Sequence, residues 1–262
     1  MFMSELNSTL FPVKEVPAIG SPIGIDDKEI DDTWYKFIVR EDTGQVLSCV
    51  TDEYKLVTNT EVIDATNKAL KSTKAKFKEA VVFGEGARTK WTWTFPNVKV
   101  KVRKDDYVNP EIHIKNSYDG SSTVDIMAGA FRLVCSNGMV IGTILGHSRA
   151  VHSVYNVNLD KIEELVDNVI NKSKQVFNKD FPNLVETPIK RKHITELIKM
   201  IPTQAMEPLT QYLLGHKPKT YWDLLNAATW ITSHHLNRNN ESTHKMESTV
   251  YPTISRWANA WL

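Results

Sequence analysis

The sequence is poor in the residues that support several common classes of protein. It has only two cysteines, Cys49 and Cys135, which lie far apart and outside any CxxC pair. This spacing excludes a disulfide framework and a cysteine-based zinc site, and it is typical of a reducing cytoplasm. No apolar run is long enough to cross a membrane. The N-terminal stretch, interrupted by Glu5 and Lys14, lacks the apolar core of a signal peptide. We therefore predict a cytoplasmic protein without a membrane partner.

Recognisable catalytic signatures are absent as well. The sequence contains no GxGxxG or GxxxxGK[ST] phosphate-binding loop, no GxSxG nucleophile and no HExxH zinc motif. Adjacent His234 and His235 would diverge by about 100° on a helix, so they do not form a metal site by themselves. Cys135 has no evident His and acid partners that would mark it as a nucleophile. We expect no cofactor, and we favour a binding protein over an enzyme.

The charge of the chain is unevenly distributed. The 262 residues carry a net charge of only +1. Residues 1–67 hold 5 Lys/Arg against 13 Asp/Glu, a net of −8, whereas residues 68–104 hold 11 Lys/Arg against 2 Asp/Glu, a net of +9. An acidic segment followed by a basic one indicates either pairing between subunits or a local anion site.

Alternating strands dominate the first 157 residues. The segments WYKFIVR and QVLSCV, separated by EDTG, are typical of a hairpin. KWTWTF (90–95) and VKVKVR (98–103) would form a second hairpin around Pro96-Asn97, and the strands 111–115, 122–128 and 130–136 would continue an antiparallel meander. Residues 61–70 have helical periodicity, with Asn59 or Thr60 as the N-cap and a basic run at the helix end.

Helical periodicity takes over after residue 158. We predict helices over about 159–178, 189–201, 203–214, 219–236 and 252–262, separated by Pro202, Gly215 and Pro218. The fold class is therefore α+β: an antiparallel β-meander with one or two packed helices, followed by an α-helical C-terminal region. The expected organisation is a flexible N-terminal arm (1–32), a β-rich core with a helix at 60–78 (33–157) and a helical region (158–262).

The stretch VKVKVRK (98–104) is the strongest functional signal. If its valines and the neighbouring Trp91, Trp93 and Phe95 face the core, one polar face carries the residues Lys90, Thr92, Thr94, Lys99, Lys101 and Arg103. Such a face is often only the solvated side of an edge strand. Here almost no acid compensates the cations, and like charges on a sheet cost stability. A phosphate backbone would offset that repulsion by releasing its counterions.

A single-stranded ligand would also stack its bases on aromatic rings. Tyr107 and Tyr118 flank the third strand of the meander and are the expected stacking residues, whereas Trp91 and Trp93 are expected in the core. The predicted nucleic-acid-binding set is Arg88, Lys90, Lys99, Lys101, Arg103, Lys104, Tyr107, Tyr118 and Arg132. A less favoured alternative is a metal-dependent nuclease site at Asp119 and Asp125 with Glu111 and His113, although their spacing fits no ligand rule.

Four segments together resemble a known family. They are DEYKLVTNTE (52–61), NSYDGSS (116–122), GAFRLVCSNGM (129–139) and NAATWITSHH (226–235). Their order and spacing are similar to the phage- and plasmid-associated family known as domain of unknown function 932, across about residues 34–260. The resemblance implies a mobile-element protein of a bacterial cytoplasm and transfers no catalytic residues. In outline, the sheet, helices and basic strand are also similar to the single-strand annealing proteins of phages, which assemble into rings and bind DNA in a basic groove.

The function expected from the sequence is single-stranded DNA binding or annealing in phage recombination or replication, by a homo-oligomer. In that assembly the acidic residues 1–67 would meet a neighbour's basic face. An alternative from another class is a phage accessory protein that binds a host defence protein through the same basic face.

Overall fold

A computed structural model describes residues 2–18, 34–121, 124–132, 137–140, 148–150, 164, 166–168, 171, 176–236 and 241–259. It confirms the α+β class, because antiparallel strands fill the N-terminal half and helices fill the C-terminal part. None of the helices in the described ranges is long and apolar enough to cross a membrane.

The N-terminal residues belong to the folded structure and differ from the expected flexible arm over 1–32. Helix α1 (Phe2–Asn7) contacts the main sheet, and strand β1 (Val13–Pro17) pairs with β2 (Tyr35–Arg40). β3 (Val46–Thr51) completes a three-stranded antiparallel sheet in the order β1-β2-β3 within the described residues. The predicted hairpin between β2 and β3 is therefore confirmed, while residues 19–33 of the arm lie outside the described ranges.

Helix α2 (Asn59–Leu70) begins with a capping box. The Thr58 hydroxyl accepts a hydrogen bond from the backbone N–H of Glu61, whose carboxylate accepts one from the Thr58 N–H. The N-cap is thus Thr58 instead of Asn59 or Thr60, the two expected positions. The helix also ends at Leu70 rather than at residue 78, because Lys74 has a left-handed φ of +56° and the β-branched, aromatic run that follows forms strand β4 (Lys76–Phe83).

The main sheet is antiparallel, as predicted, but its pairing differs from a simple meander. Within the described residues the order is β4-β5-β7-β8-β10, with β6 also paired to β7 and β9 to β8. The further strands are β5 (Arg88–Thr94), β6 (Val100–Arg103), β7 (Asp106–Ser117), β8 (Val124–Arg132), β9 (Asn137–Val140) and β10 (Ser148–Ala150).

The predicted hairpin between β5 and β6 is wrong. β5 pairs with β7, with Trp93 opposite Ile112, whereas β6 pairs only with the first residues of β7. The 12-residue β7 is long enough to accept both strands in succession, and its isoleucines extend the apolar face of β5. That face packs against α2 in a core that contains Trp91, Trp93, Ile112, Ile114, Val62 and Ile63.

From residue 176 onward, the described part of the C-terminal region contains a π-helical turn (Val176–Asp180) and five α-helices. They are α3 (Phe181–Glu186), α4 (Arg191–Met200), α5 (Thr203–His216), α6 (Tyr221–His234) and α7 (Glu241–Asn259). Their core is built around Trp222, Phe181 and Tyr251. The last helix begins eleven residues before the expected Pro252, which lies inside it. Most of the helix predicted over 159–178 lies outside the described residues.

Candidate nucleic-acid interface

Strand β6, the Lys104-Asp105 turn and the first three residues of β7 form a short two-stranded ribbon, which we call the β6–β7 ribbon. Val100 lies opposite Val108, and both Val100 and Val102 pack against the helical core. The side chains of Lys99, Lys101 and Lys104 are exposed. The expectation that valines of this stretch point inward while lysines face solvent therefore holds for Val100 and Val102, but Val98, which was expected to face the core as well, is exposed.

An aromatic ring lies beside the exposed cations of the β6–β7 ribbon. Tyr107 of β7 is directly opposite Lys101 of β6, so the two side chains share one face of the ribbon. Tyr107 is half-buried, which leaves part of its ring accessible. The ribbon thus places a cation and a ring next to each other, as a single-strand-binding surface requires.

Arg103 departs from the predicted cationic face. Its guanidinium lies 2.8 Å from Asp223 Oδ1 at the start of α6 and 3.4 Å from Asp106 Oδ2. The strand register shifts between Lys101 and Arg103, and such an irregularity re-aims the side chain that follows it. Arg103 is therefore matched by carboxylates of its own chain and is removed from the candidate phosphate contacts.

The two carboxylates that hold Arg103 are fixed by other groups as well. Asp106 is buried, and its Oδ2 accepts a hydrogen bond from Trp222 Nε1 at 2.8 Å. Burial would raise the pKa of Asp223, but hydrogen bonds from the backbone N–H groups of Lys219 and Thr220, together with the Arg103 guanidinium, lower it. Asp223 is thus an anion built into the junction between the β6–β7 ribbon and α6.

Arg88 and Tyr118 also have structural roles instead of the predicted ligand contacts. Arg88 Nε lies 2.8 Å from Asp119 Oδ2. Tyr118 is fully buried, its hydroxyl accepts a hydrogen bond from the Asn59 backbone N–H at 2.7 Å, and burial raises its pKa. A buried ring cannot stack on a base, so the prediction for Tyr118 is wrong. Both residues lie at the end of β7 opposite to the β6–β7 ribbon.

Lys90 is buried, contrary to the predicted solvent-facing position. It shares the second face of the main sheet with Thr92, Glu111, His113 and Asp125, all of them buried. On this face Lys78 Nζ lies 2.7 Å from Glu111 Oε1, and Thr92 Oγ1 lies 3.0 Å from His113 Nδ1. Burial raises the pKa of Glu111, and the Lys78 ammonium opposes that rise. The alternation of polar and apolar residues predicted which residues share this face, but it did not show that these polar residues are buried.

The residues of the alternative nuclease site do not form a metal centre within the described ranges. Asp119 pairs with Arg88, and Glu111 pairs with Lys78. Among the described residues, no group of three or more His, Cys, Asp or Glu side chains is arranged to hold a metal ion. His234 and His235 instead lie beside the Trp230 ring, at centroid distances of 5.9 and 4.4 Å.

Two of the discussed residues lie partly or wholly outside the described part of the structure. Arg132 is the last residue of β8, where its backbone pairs with Val108 and Asn137, but its side chain lies outside the described part of the structure. Cys135 falls entirely outside the described residues. The predicted phosphate contact of Arg132 therefore stays a prediction.

Sequence reasoning missed the carboxylates that occupy Arg103. One signal for Asp223 was available, because Thr220 followed three residues later by Asp223 before an apolar run is a capping-box pattern. This pattern locates the start of α6 but not its partner, since Arg103 lies 120 residues earlier in the chain.

The comparison with known proteins agrees with the family suggested by the motifs. The family described as "Domain of unknown function (DUF932)" matches residues 46–251, which include the ribbon and most of the helical region. The chain belongs to this family. Its family description assigns no activity, so the geometry alone carries any statement about function.

Two curated relatives match a short segment of this DUF932 protein. They are the UPF0380 proteins YfjQ and YafZ of Escherichia coli (strain K12), each 46% identical over 43 residues. The matched segment covers 16% of this chain and 16% of each relative. No solved structure matches the chain significantly.

Two of the segments that resemble the family meet in a buried polar network. Asn59 Nδ2 donates to the Thr9 carbonyl at 2.8 Å, and Asn116 Nδ2 donates to Asn59 Oδ1 at 3.0 Å. Trp91 Nε1 donates to the Thr9 hydroxyl at 2.9 Å. These hydrogen bonds join the N-terminal segment, α2 and the main sheet, which gives the motif residues Asn59 and Asn116 a structural role.

Proposed function

We propose that this DUF932 protein binds single-stranded nucleic acid through the exposed side of the β6–β7 ribbon. The observation that supports the proposal is that the exposed Lys101 lies opposite the half-buried Tyr107 on this ribbon, with the exposed Lys99 and Lys104 directly before and after β6, while Val100 and Val102 pack against the helical core. Among the ion pairs between described residues, none involves these three lysines.

The chemistry of this surface fits a phosphodiester strand. Lysine ammonium groups that repel one another on a small ribbon are neutralised by phosphates, and the release of condensed counterions favours binding. A ring beside the cations accepts a base by stacking, which contributes about 1–3 kcal/mol per base. A duplex keeps its bases paired inside, so a ring on a flat ribbon favours a single strand.

An exposed lysine of β4 adds positive charge at the end of the main sheet nearer to the β6–β7 ribbon. Lys76, the exposed first residue of β4, lies opposite Thr94, and Thr94 in turn lies opposite Glu111 of β7. Lys76, Thr94 and Glu111 thus lie near the end of the main sheet at which β6 pairs with β7. The basic segment 68–104 therefore has several of its cations at one end of the main sheet, which supports an anionic partner there.

The biological setting that we propose is recombination or replication of a bacteriophage or plasmid in a bacterial cytoplasm, with strand annealing as the specific activity. Annealing proteins act as assemblies, and the net negative charge of residues 1–67 is complementary to the cations of a neighbouring subunit's ribbon. We therefore propose a homo-oligomer, which light scattering with and without oligonucleotide measures directly. A monomer of 29.8 kDa under both conditions would contradict this assembly.

The decisive experiment is oligonucleotide binding by the variant Lys99→Gln/Lys101→Gln at several salt concentrations. Each phosphate contact on a single strand contributes about 0.7 to the slope of log K against log salt. The double variant should bind a fluorescent single strand more weakly, and the slope should decrease by about 1.4. Tyr107→Ala should lower the affinity without changing the slope, because stacking releases no counterions.

A matched control is available on the small sheet. Lys14 lies on β1, Lys55 lies shortly after β3, and both are exposed. The small sheet packs near the end of β7 opposite to the β6–β7 ribbon. Lys14→Gln/Lys55→Gln changes the net charge by the same amount, and we expect wild-type affinity and slope. Equal effects of the two double variants would show that net charge, not the ribbon, controls binding and would reject the proposal.

A further inference from the structure

The junction between the β6–β7 ribbon and α6 connects the ribbon to a second group of cations. Arg103 Nη1 lies 2.8 Å from Asp223 Oδ1, and Asp223 Oδ2 accepts a hydrogen bond from the Lys219 backbone N–H at 3.0 Å. The Lys219 carbonyl then accepts a hydrogen bond from the Ile189 N–H at 3.0 Å, just before α4. Two short contacts therefore lead from the ribbon to Lys219, and a third leads to the start of α4.

The side chains along this route are cationic and exposed. Lys217 and Lys219 precede α6, and Arg191 and Lys192 begin α4, where the bridge between Pro188 and Thr220 keeps the two segments together. All four side chains are exposed, and none of them takes part in the ion pairs found between described residues. We call these four residues the helical cationic surface. The nearby Asp223 is already occupied by Arg103 and by backbone N–H groups.

An aromatic stack adjoins the helical cationic surface. The exposed ring of His216, the residue before Lys217, stacks on Tyr212 with centroids 4.0 Å apart and planes inclined by 14°. Tyr212 in turn contacts the Trp230 ring at 4.7 Å. His216 is held by this stack and by the contact of its Nδ1 with the Tyr212 carbonyl at 3.0 Å. The surface therefore repeats the combination of cations and an accessible ring that characterises the β6–β7 ribbon.

We propose that the helical cationic surface is a second contact region for the same nucleic-acid strand, which runs from the β6–β7 ribbon across Arg103 and Asp223 to Lys217, Lys219 and the start of α4. This inference rests on the proposed function and extends it. The strand's phosphates contact the four cations, and a base stacks on His216. An acidic polypeptide would satisfy the cations alone, so the ring next to them favours nucleic acid.

A strand that spans both regions must be longer than one that covers the ribbon. The test uses single-stranded oligothymidylates of about 6 and about 20 nucleotides, the first near the lower end and the second above the range of about 4–16 nucleotides that single-strand-binding domains cover. Lys217→Gln/Lys219→Gln should weaken binding of the long strand, lower its salt slope by about 1.4 and leave the short strand unaffected. Lys99→Gln/Lys101→Gln should weaken both, and Lys14→Gln/Lys55→Gln should weaken neither.

The outcomes separate the two proposals. If Lys217→Gln/Lys219→Gln binds the long strand like the wild type while the ribbon variant loses affinity for both strands, the second contact region is rejected and the proposed function stands. If the ribbon variant binds both strands normally, the proposed function itself fails. His216→Ala should reduce affinity for the long strand at an unchanged salt slope. Equally effective competition by polyglutamate, which has no rings, would reject nucleic acid as the occupant of this surface.

Discussion

Arg103 of β6 and Asp223 of α6 form an ion pair of 2.8 Å that connects the main sheet to the helical region. Asp223 is also the capping-box residue of α6, so one carboxylate stabilises both the helix start and the junction. The pair is partly exposed, with side-chain exposures of 38% for Arg103 and 21% for Asp223. Solvent therefore screens the pair, and we expect it to contribute to the free energy of unfolding as a well-oriented surface ion pair does. Arg103 has a second, buried partner in Asp106.

The first prediction is that Arg103→Gln lowers stability rather than nucleic-acid affinity. We expect the free energy of unfolding to fall by about 1 kcal/mol, as for well-oriented, partly exposed ion pairs, and the salt slope of oligonucleotide binding to stay unchanged. Urea unfolding and the binding assay measure the two effects. The control is Lys104→Gln, the exposed neighbour, whose stability should equal that of the wild type. A stable Arg103→Gln protein with a reduced salt slope would return Arg103 to the phosphate contacts.

The second prediction concerns the buried network around Asn59. Its amide donates to the Thr9 carbonyl and accepts from Asn116, in a region without solvent access. Asn59→Ala removes the side-chain donor to the buried Thr9 carbonyl and one of the two hydrogen bonds of Asn116 Nδ2, which keeps its bond to the Val57 carbonyl, and an unsatisfied buried group costs about 1–3 kcal/mol. We expect a loss of at least about 2 kcal/mol in urea unfolding.

Asn67 provides the matched control for Asn59, because it lies on the same helix α2 and is exposed. Asn67→Ala should leave stability unchanged or raise it slightly, since alanine has the higher helix propensity. Similar losses for the two variants would mean that the network does not stabilise the fold.

The sequence predicted the elements of this fold better than their pairing. Alternation located β5, β6 and β7, and the buried tryptophans of β5 have the orientation that the pattern indicated. It did not show that β5 pairs with β7, because the choice of partner depends on the length of β7 and on the contacts of its isoleucines with α2. Period-two patterns identify faces, and only the packed structure shows which faces are covered, as Lys90 illustrates.

The sequence predicted the candidate site only for side chains whose position depends on local pattern and not on a partner elsewhere in the chain. Lys99, Lys101, Lys104 and Tyr107 were identified from local pattern; the three lysines are exposed, and Lys101 lies opposite Tyr107 on the β6–β7 ribbon. Residues with distant partners were not predictable, because the carboxylates that occupy Arg103 and the core that encloses Tyr118 come from other parts of the chain. The cations near α4 and α6 join the ribbon only through tertiary contacts.

The third prediction uses two glycines with opposite surroundings. A β-carbon added to Gly129 of β8 would collide with the ring of His113, which is buried and held by Thr92. Gly129→Ala should therefore destabilise the protein by about 1–3 kcal/mol, the usual cost of overpacking. Gly215 of α5 has no neighbour within 4 Å of the added carbon.

Gly215→Ala is thus expected to stabilise the protein, by about 0.5–1 kcal/mol, because alanine favours the helix. Thermal unfolding of the two variants measures the expected loss of stability in Gly129→Ala and the expected gain in Gly215→Ala. A stable Gly129→Ala protein would show that the His113 ring can move away from β8 at little cost, and it would contradict the close packing of that sheet face.

The fourth prediction is a pH dependence of stability that depends on His193. This residue of α4 is buried, its Nδ1 lies 2.6 Å from the Tyr221 hydroxyl oxygen, and its ring stacks on Trp257 at a centroid distance of 4.7 Å. Burial lowers the pKa of His193 below its ordinary value of 6.5, and Glu196 opposes this shift while Lys190 and Lys192 add to it.

A lowered pKa means that the folded protein binds this proton more weakly than the unfolded chain does. The stability that the neutral ring contributes is therefore complete above the unfolded pKa of about 6.5. It is lost as the pH falls from there toward the folded pKa. For one proton, the free energy of unfolding changes by at most about 1.4 kcal/mol per pH unit. Urea unfolding from about pH 8 to about pH 5 measures this loss. His193→Gln should reduce it, whereas His216→Gln, a change of an exposed histidine, should retain it. Identical pH profiles for the wild type and His193→Gln would contradict this prediction. They would show that the folded protein accommodates the protonated His193 ring as well as the neutral one.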